Sequence, residues 1–232
     1  MSANHANVVL VHGAWADGSS WYKIIGPLKA EGLDVIAAPL PLTTLPEDVA
    51  ALDRAIERLD GPLVLVGHAY AGAVIAEAHH PRIASLVYIS GLAPDEGETV
   101  GDVFYKNDPY PQAPELLPDA AGLIWLPESA FSNVFAQNAS PDEQAVLAAV
   151  QRPLNAACIT VPVMRPRWKD GPSWVLVAEE DRMINPETQY FTAERMGARV
   201  RARPVDHTPL ITAPAEVVDI ILAAVRDLAS AA

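Results

Sequence analysis

The segment Gly67-His68-Ala69-Tyr70-Ala71 follows the apolar run Leu63-Val64-Leu65-Val66 and leads into Gly72-Ala73-Val74. Small residues two places either side of a central one suit a sharp turn between a buried strand and a helix, where the central residue takes a strained backbone. Such an elbow ordinarily raises a serine hydroxyl into a cleft. Here its central position is Ala69, so the context of a nucleophile is present without the reactive atom. Two further pieces have the residue types that base catalysis needs. His207, within Val205-Asp206-His207-Thr208-Pro209, is the candidate base. Asp181, at the end of Ala178-Glu179-Glu180-Asp181, is the candidate carboxylate that orients the imidazole. Glu179 and Glu180 are its rivals, and simple pairing of Asp181 with Arg182 is the plainer reading. Val11-His12-Gly13-Ala14-Trp15 supplies the remaining part. The backbone N–H of Ala14, with Trp15 as a neighbouring candidate, and that of Tyr70 form an oxyanion hole for a developing negative oxygen. Backbone amides do not depend on a hydroxyl, so this hole should persist with alanine at the elbow. His12 and His68 flank these turns, where packing or orientation explains them more simply than proton transfer.

The elements that must position these residues alternate in type. Strands are predicted at residues 8–11, 34–38, 63–66, 83–89, 174–177 and 200–203. Helices are predicted at 21–31, 47–59, 71–79, 142–150, 186–196 and 215–228, with Pro46 and Pro186 as start signals and Gly32 and Gly197 as stops. Strand and helix in this rhythm imply a mostly parallel sheet with helices on both faces. The rhythm fails after Pro94 and resumes at Ser173. Between them lie prolines at 109, 111, 114, 118, 127, 141, 153, 162 and 166, with scattered aromatic residues. Irregular chain of that length inside a compact domain usually covers a site. Residues 1–93 and 173–232 are therefore expected to form one core and residues 94–172 an inserted cap or lid. Trp15 and His68 from the core, with Tyr105, Trp125, Phe131 and Phe135 from the cap, are expected to line a substrate pocket, although each cap aromatic would serve equally as cap core.

Composition excludes several functions. The formal net charge of −13 repels nucleic acid and anionic membranes, and no apolar run approaches the roughly 18 residues a membrane span requires. The segment Met1 to Asn7 has no basic leader, which points to a cytoplasmic protein, and the C-terminal Ala-Ser-Ala-Ala is expected to fray. Cys158 is the single cysteine and reads as a small buried hydrophobe, so an internal disulfide is impossible. Ligand spacing for a metal is lacking: His79 and His80 are adjacent and suit a solvated helix end. The expected partner is a small molecule, with no metal or cofactor, and a homodimer is allowed for.

With His12-Gly13-Ala14-Trp15, Ser20-Trp21-Tyr22, the elbow, Ser90-Gly91-Leu92-Ala93-Pro94 and Glu180-Asp181 leading to Gln189, the chain resembles the α/β-hydrolase family over nearly its whole length. It is most similar to the branch of plant methylesterases and hydroxynitrile lyases with their bacterial relatives. The resemblance implies the α/β-hydrolase fold, a small ester or other carbonyl substrate, no cofactor and an apolar pocket under a cap. It also implies a serine where Ala69 stands, and a glycine where Ala71 stands. Three readings of Ala69 remain: an esterase disabled by substitution, a native alanine with His207 and Asp181 acting as a general base on water or on a substrate proton, or a binding protein for a small ligand. The second departure at Ala71 favours native alanine, and the intact acid and histidine argue against a pure binder.

Overall fold

Runs of branched apolar residues build the sheet, because strands buried on both faces have no solvent side to reserve for polar groups. The computed structural model describes residues 6–231. Its parallel strands are β1 (Asn7–Val11), β2 (Val35–Ala38), β3 (Leu63–His68), β4 (Ile83–Ile89), β5 (Ser173–Ala178) and β6 (Arg199–Arg203). They lie in the order β2-β1-β3-β4-β5-β6. Every residue of β1 and β3 is buried, as central strands require. The edge strand β6 instead alternates: Arg199, Arg201 and Arg203 pair with Asp227, Asp219 and Glu216. Those partners belong to the last helix, so a period of two along the strand fixes that helix against the sheet edge.

Helices α1 (Tyr22–Ala30), α2 (Leu45–Ile56), α3 (Ala71–Glu77), α4 (Pro141–Val150), α5 (Pro186–Arg195) and α6 (Pro214–Ala231) complete the α/β-hydrolase fold with helices on both faces of the sheet. Local signals set several of their starts. Thr44 caps α2 by accepting the Glu47 N–H, two residues earlier than the proline had placed the helix. Ser140 and Glu143 form a reciprocal capping box on α4. Helix α3 ends at Glu77 and not at His79, so His79 and His80 stand in the following loop, where His80 Nε2 lies 3.2 Å from a Glu57 carboxylate oxygen. Helix α6 runs on through Ala229 and Ser230. Met1 to His5, part of the segment considered for a leader, and Ala232 lie outside the described residues. No helix among the described residues is long and apolar enough to cross a membrane.

Between β4 and β5 the chain contains more regular structure than its prolines suggested. Short helices span Val100–Phe104 and Ala157–Thr160, and Glu128–Ala130 continues into a wide π turn at Phe131–Phe135. Leu123–Ile124 and Leu154–Asn155 pair as a two-stranded antiparallel ribbon. This segment stands over the C-terminal ends of the strands, where four non-glycine residues take a positive φ: Trp15 (56°), Leu42 (60°), Ala69 (50°) and Ser90 (46°). Each follows one of the first four strands. Backbone strain of this kind, worth about 1–3 kcal/mol per residue, persists only where surrounding packing enforces it and collects at functional sites.

Candidate active site

Register brings the site together before any side chain is considered. Val11 of β1 pairs with Gly67 of β3, so the loop after β1 and the elbow after β3 leave the sheet at the same level. Glycines make the bend possible. A Cβ on Gly67 would lie 2.7 Å from the Ala71 carbonyl oxygen, and one on Gly72 would lie 2.2 Å from the Leu92 carbonyl oxygen. The elbow is held by the Ala69 N–H donating to Ile89 O (3.1 Å), while Ala69 O accepts from the N–H groups of Gly72 and Leu92 (3.0 Å each). Its amides at Tyr70 and, across the cleft, Ala14 donate to no other group among the described residues. Both residues line one cavity with Ala69 and His207.

His207 Nδ1–H donates to Asp181 Oδ2 at 2.9 Å, and both side chains are buried. The carboxylate is itself fixed. Asp181 Oδ1 accepts the N–H groups of Met183 and Ile184, and Oδ2 also accepts Gln189 Nε2–H, each at 2.8 Å. Gln189 is held in turn because its Oε1 accepts the Ala178 N–H at 3.0 Å. Arg182 turns away to donate to Asn133 O, Glu179 accepts from Tyr190, and Glu180 is exposed, so the alternatives to Asp181 point elsewhere. His207 Nε2 has no hydrogen bond among the described residues and lines the cavity.

Two buried carboxylates that sequence reasoning passed over brace this arrangement. Asp206 accepts from the Asn138 and Thr208 N–H groups and from the Thr212 hydroxyl. Burial raises its carboxyl above the ordinary value. Asp48, on α2, accepts the Leu42 N–H (2.7 Å) and the Tyr70 hydroxyl (2.6 Å), with the Cys158 thiol at 3.7 Å. Burial likewise raises Asp48 and pushes the Cys158 thiol up to about 12, so Cys158 is an inert buried thiol. Neither aspartate had a sequence signal beyond its type, since what distinguishes them is complete enclosure. His68 and His12 take supporting places. His68 Nε2–H donates to His207 O at 2.8 Å, and burial lowers its pKa to about 3. His12 Nδ1–H donates to Gly13 O and its Nε2 accepts the Leu40 N–H, with the pKa lowered to about 4 by burial.

The cavity above His207 is walled almost wholly by apolar side chains. Trp15 and Tyr105 line it as expected from the sequence, and Trp15 Nε1–H donates to Ile124 O, tying the loop after β1 to the ribbon. Four expected lining residues stand elsewhere. His68 lies behind His207, ring centroids 4.9 Å apart, outside the lining. Phe131 and Phe135 are buried core: the π turn directs Phe135 against His207 (5.3 Å) and Trp15 (6.3 Å), and Phe131 against Phe135. Trp125 is 49% exposed because alternation beyond the ribbon turns Ile124 inward and Trp125 outward. The rest of the wall comes from residues the sequence did not single out, among them Leu92, Phe104, Leu116, Ile124, Met183 and Ile184. Most are aliphatic residues of irregular segments, which carry no periodicity to reveal them. Among the described residues, no three His, Cys, Asp or Glu side chains gather as metal ligands.

Comparison with known proteins agrees with this architecture. Residues 8–220 match the alpha/beta hydrolase family. The chain is 34% identical to a carbendazim hydrolyzing esterase of Nocardioides sp. (strain SG-4G) over 112 residues, 41% of this chain. That match spans 46% of the esterase's own length, so the chain covers less than half of it. Salicylic acid-binding protein 2 of Nicotiana tabacum is 24% identical over 238 residues, covering 89% of this chain and 92% of the relative. Among solved structures, a pyrethroid hydrolase from Sphingobium faniae JZ-2 is similar in fold, with a TM-score of 0.81 at 20% identity over 95% of this chain and 98% of the other. With its sheet order, its elbow and a match spanning most of its length, this chain belongs to the α/β-hydrolase family.

Proposed function

We propose that this chain is a cofactor-free base catalyst acting on a small neutral carbonyl compound. The substrate's carbonyl oxygen accepts hydrogen bonds from the Ala14 and Tyr70 N–H groups, and His207 Nε2 removes a proton from the carbon beside that carbonyl. The C–H electron pair moves to the carbonyl oxygen as an enolate, which the two amides stabilise. Asp181 keeps Nδ1 protonated, so Nε2 is the free base, and its charge stabilises the imidazolium that forms. Return of the proton to the same carbon completes a cycle with no bond to the enzyme; where the next carbon carries a leaving group, that bond breaks as the C=O re-forms and the departing group takes the His207 proton. Ala69 fits this chemistry because it leaves the space beneath the substrate without a competing nucleophile.

One observation carries the choice of a substrate proton over water. A bound water needs about two to four polar partners. The Tyr70 hydroxyl is already committed to Asp48, so among the described residues the polar groups of the inner wall are the Ala14 and Tyr70 N–H groups, which the carbonyl oxygen takes up, and His207 Nε2, which alone would be left to hold a water beside a bound carbonyl. The test is exchange of the methyl protons of acetophenone in D2O, followed by NMR. The parent chain is expected to accelerate exchange over buffer, and His207→Ala to lower the enzymatic rate about 10²–10⁴-fold. Equal rates in the two proteins would refute the proposal. A second reading, hydrolysis of a small ester by water activated at the same imidazole, is favoured by the names of similar proteins, an esterase and a hydrolase. It requires turnover of short aryl esters by the parent chain.

A further inference from the structure

A second recess lies beside the inner cavity: it shares Phe104, Tyr105, Leu116 and Met183 with it and is walled further out by Pro109, Ala113, Pro114 and Glu115. The four common residues form the boundary between the two spaces. We infer that the outer recess is a subsite for the apolar tail of an elongated, uncharged substrate whose carbonyl head occupies the inner cavity. This assignment rests on the proposed carbonyl chemistry and adds the substrate's shape and charge to it.

The boundary is built to hold its form. Phe104 ends a helix fixed by a reciprocal capping box at Thr99 and Asp102, and its ring meets Tyr105 edge to face at 4.8 Å. The following strand of irregular chain is tied to α5 at two points: Asn107 Nδ2–H donates to Thr188 Oγ1 (2.9 Å), and Asn185 Nδ2–H donates to Asp108 O (3.0 Å). The Ala113 N–H donates to Tyr110 O at 2.8 Å, closing the turn that presents Pro114 and Leu116. A preformed apolar recess binds without first ordering its walls, which keeps more of the burial energy as affinity. Edge-to-face aromatic residues at the boundary suit a ring in the tail.

Charge narrows the class further. Glu115 is the one Asp, Glu, Lys, Arg or His side chain that lines the outer recess, and His207 the one that lines the cavity beside it. A carboxylate tail would meet a like charge in the lining. The formal net charge of −13 disfavours an anion at longer range as well. The substrate is therefore an uncharged carbonyl compound with an apolar, preferably aromatic, extension opposite its reacting end.

Calorimetric titration with acetophenone, 4-phenylacetophenone and 4-acetylbiphenyl-4′-carboxylate tests this directly. In the parent chain the second ligand is expected to bind at least tenfold more tightly than the first, and the carboxylate to lose that gain. Ala113→Trp, which fills only the outer recess, is expected to abolish the gain of 4-phenylacetophenone while leaving acetophenone affinity within twofold. Glu115→Lys, on an exposed side chain that leaves the fold intact, is expected to restore binding of the carboxylate. Acetophenone binding with no gain from the second ring, or a gain that survives Ala113→Trp, overturns the subsite and leaves the carbonyl chemistry standing. Binding of none of the three ligands overturns both.

Discussion

At the scale of single residues, Ala69 occupies the most constrained position in the site and contributes no functional atom. Its φ of 50° and its three backbone hydrogen bonds hold a geometry that a hydroxyl would use at once. Deleting such a hydroxyl in a serine hydrolase costs about 10⁶ in turnover. Ala69→Ser is accordingly expected to introduce hydrolysis of p-nitrophenyl acetate at least 10²-fold above the parent, with an initial burst of nitrophenolate. No gain would mean that His207 Nε2 does not reach the elbow. The buried histidines make a second expectation. His12 and His68 have pKa values lowered from the ordinary 6.5 to about 4 and about 3 by burial. Above 6.5 both are neutral folded or unfolded. As pH falls below that value the unfolded chain takes up protons that the folded chain refuses, so stability declines toward pH 4, by about 1.4 kcal/mol per pH unit for each imidazole. Neutralisation of the excess carboxylates works in the opposite sense, so the comparison with a variant isolates the effect. Urea denaturation at pH 6.5 and 5.0 should show a shallower loss in His68→Gln than in the parent, and identical slopes would remove His68 from the balance.

At the scale of elements, strand-to-helix contacts decide what the sequence could reveal. The elbow was legible because its requirement is steric and local: Gly67, Ala71 and Gly72 are small where strand, helix and the loop at Leu92 converge. Gly72→Ala places a Cβ 2.2 Å from a backbone oxygen that cannot swing aside. It is expected to destabilise the fold by about 1–3 kcal/mol, visible as a lower thermal midpoint, and to weaken acetophenone binding by moving Tyr70. An unchanged midpoint would show that the elbow and the Leu92 loop are not locked together. Asp181 and His207 were legible because each follows a strand in a fixed chain order. Asp48 and Asp206 were not, because each joins a near partner to one that only the fold brings close: Leu42 and Tyr70 for one, Thr212 and Asn138 for the other. The cap aromatics failed for a related reason. Phe131 and Phe135 sit on a π turn, whose spacing no helix or strand pattern anticipates, and the turn sets Phe135 against His207 and Phe131 against Phe135, outside the cavity lining.

At the scale of the whole molecule, a six-stranded parallel sheet delivers two amides, a carboxylate and an imidazole to one edge, and the segment between β4 and β5 provides apolar walls around them. Periodicity foretold the six strands of the sheet and its main helices, with ends displaced by up to three residues, since burial on both faces leaves a strong imprint on composition. The walls left none, so the cavity's depth and its outer recess emerge only from the folded chain. What the molecule can do depends on where a carbonyl group comes to rest within it. A crystal structure of the acetophenone complex measures that directly. The expected result places the ketone oxygen about 3 Å from the Ala14 and Tyr70 nitrogens, with the methyl carbon toward His207 Nε2 and the ring toward Phe104. A ketone oxygen turned away from both amides, or a methyl group facing away from the imidazole, would contradict it.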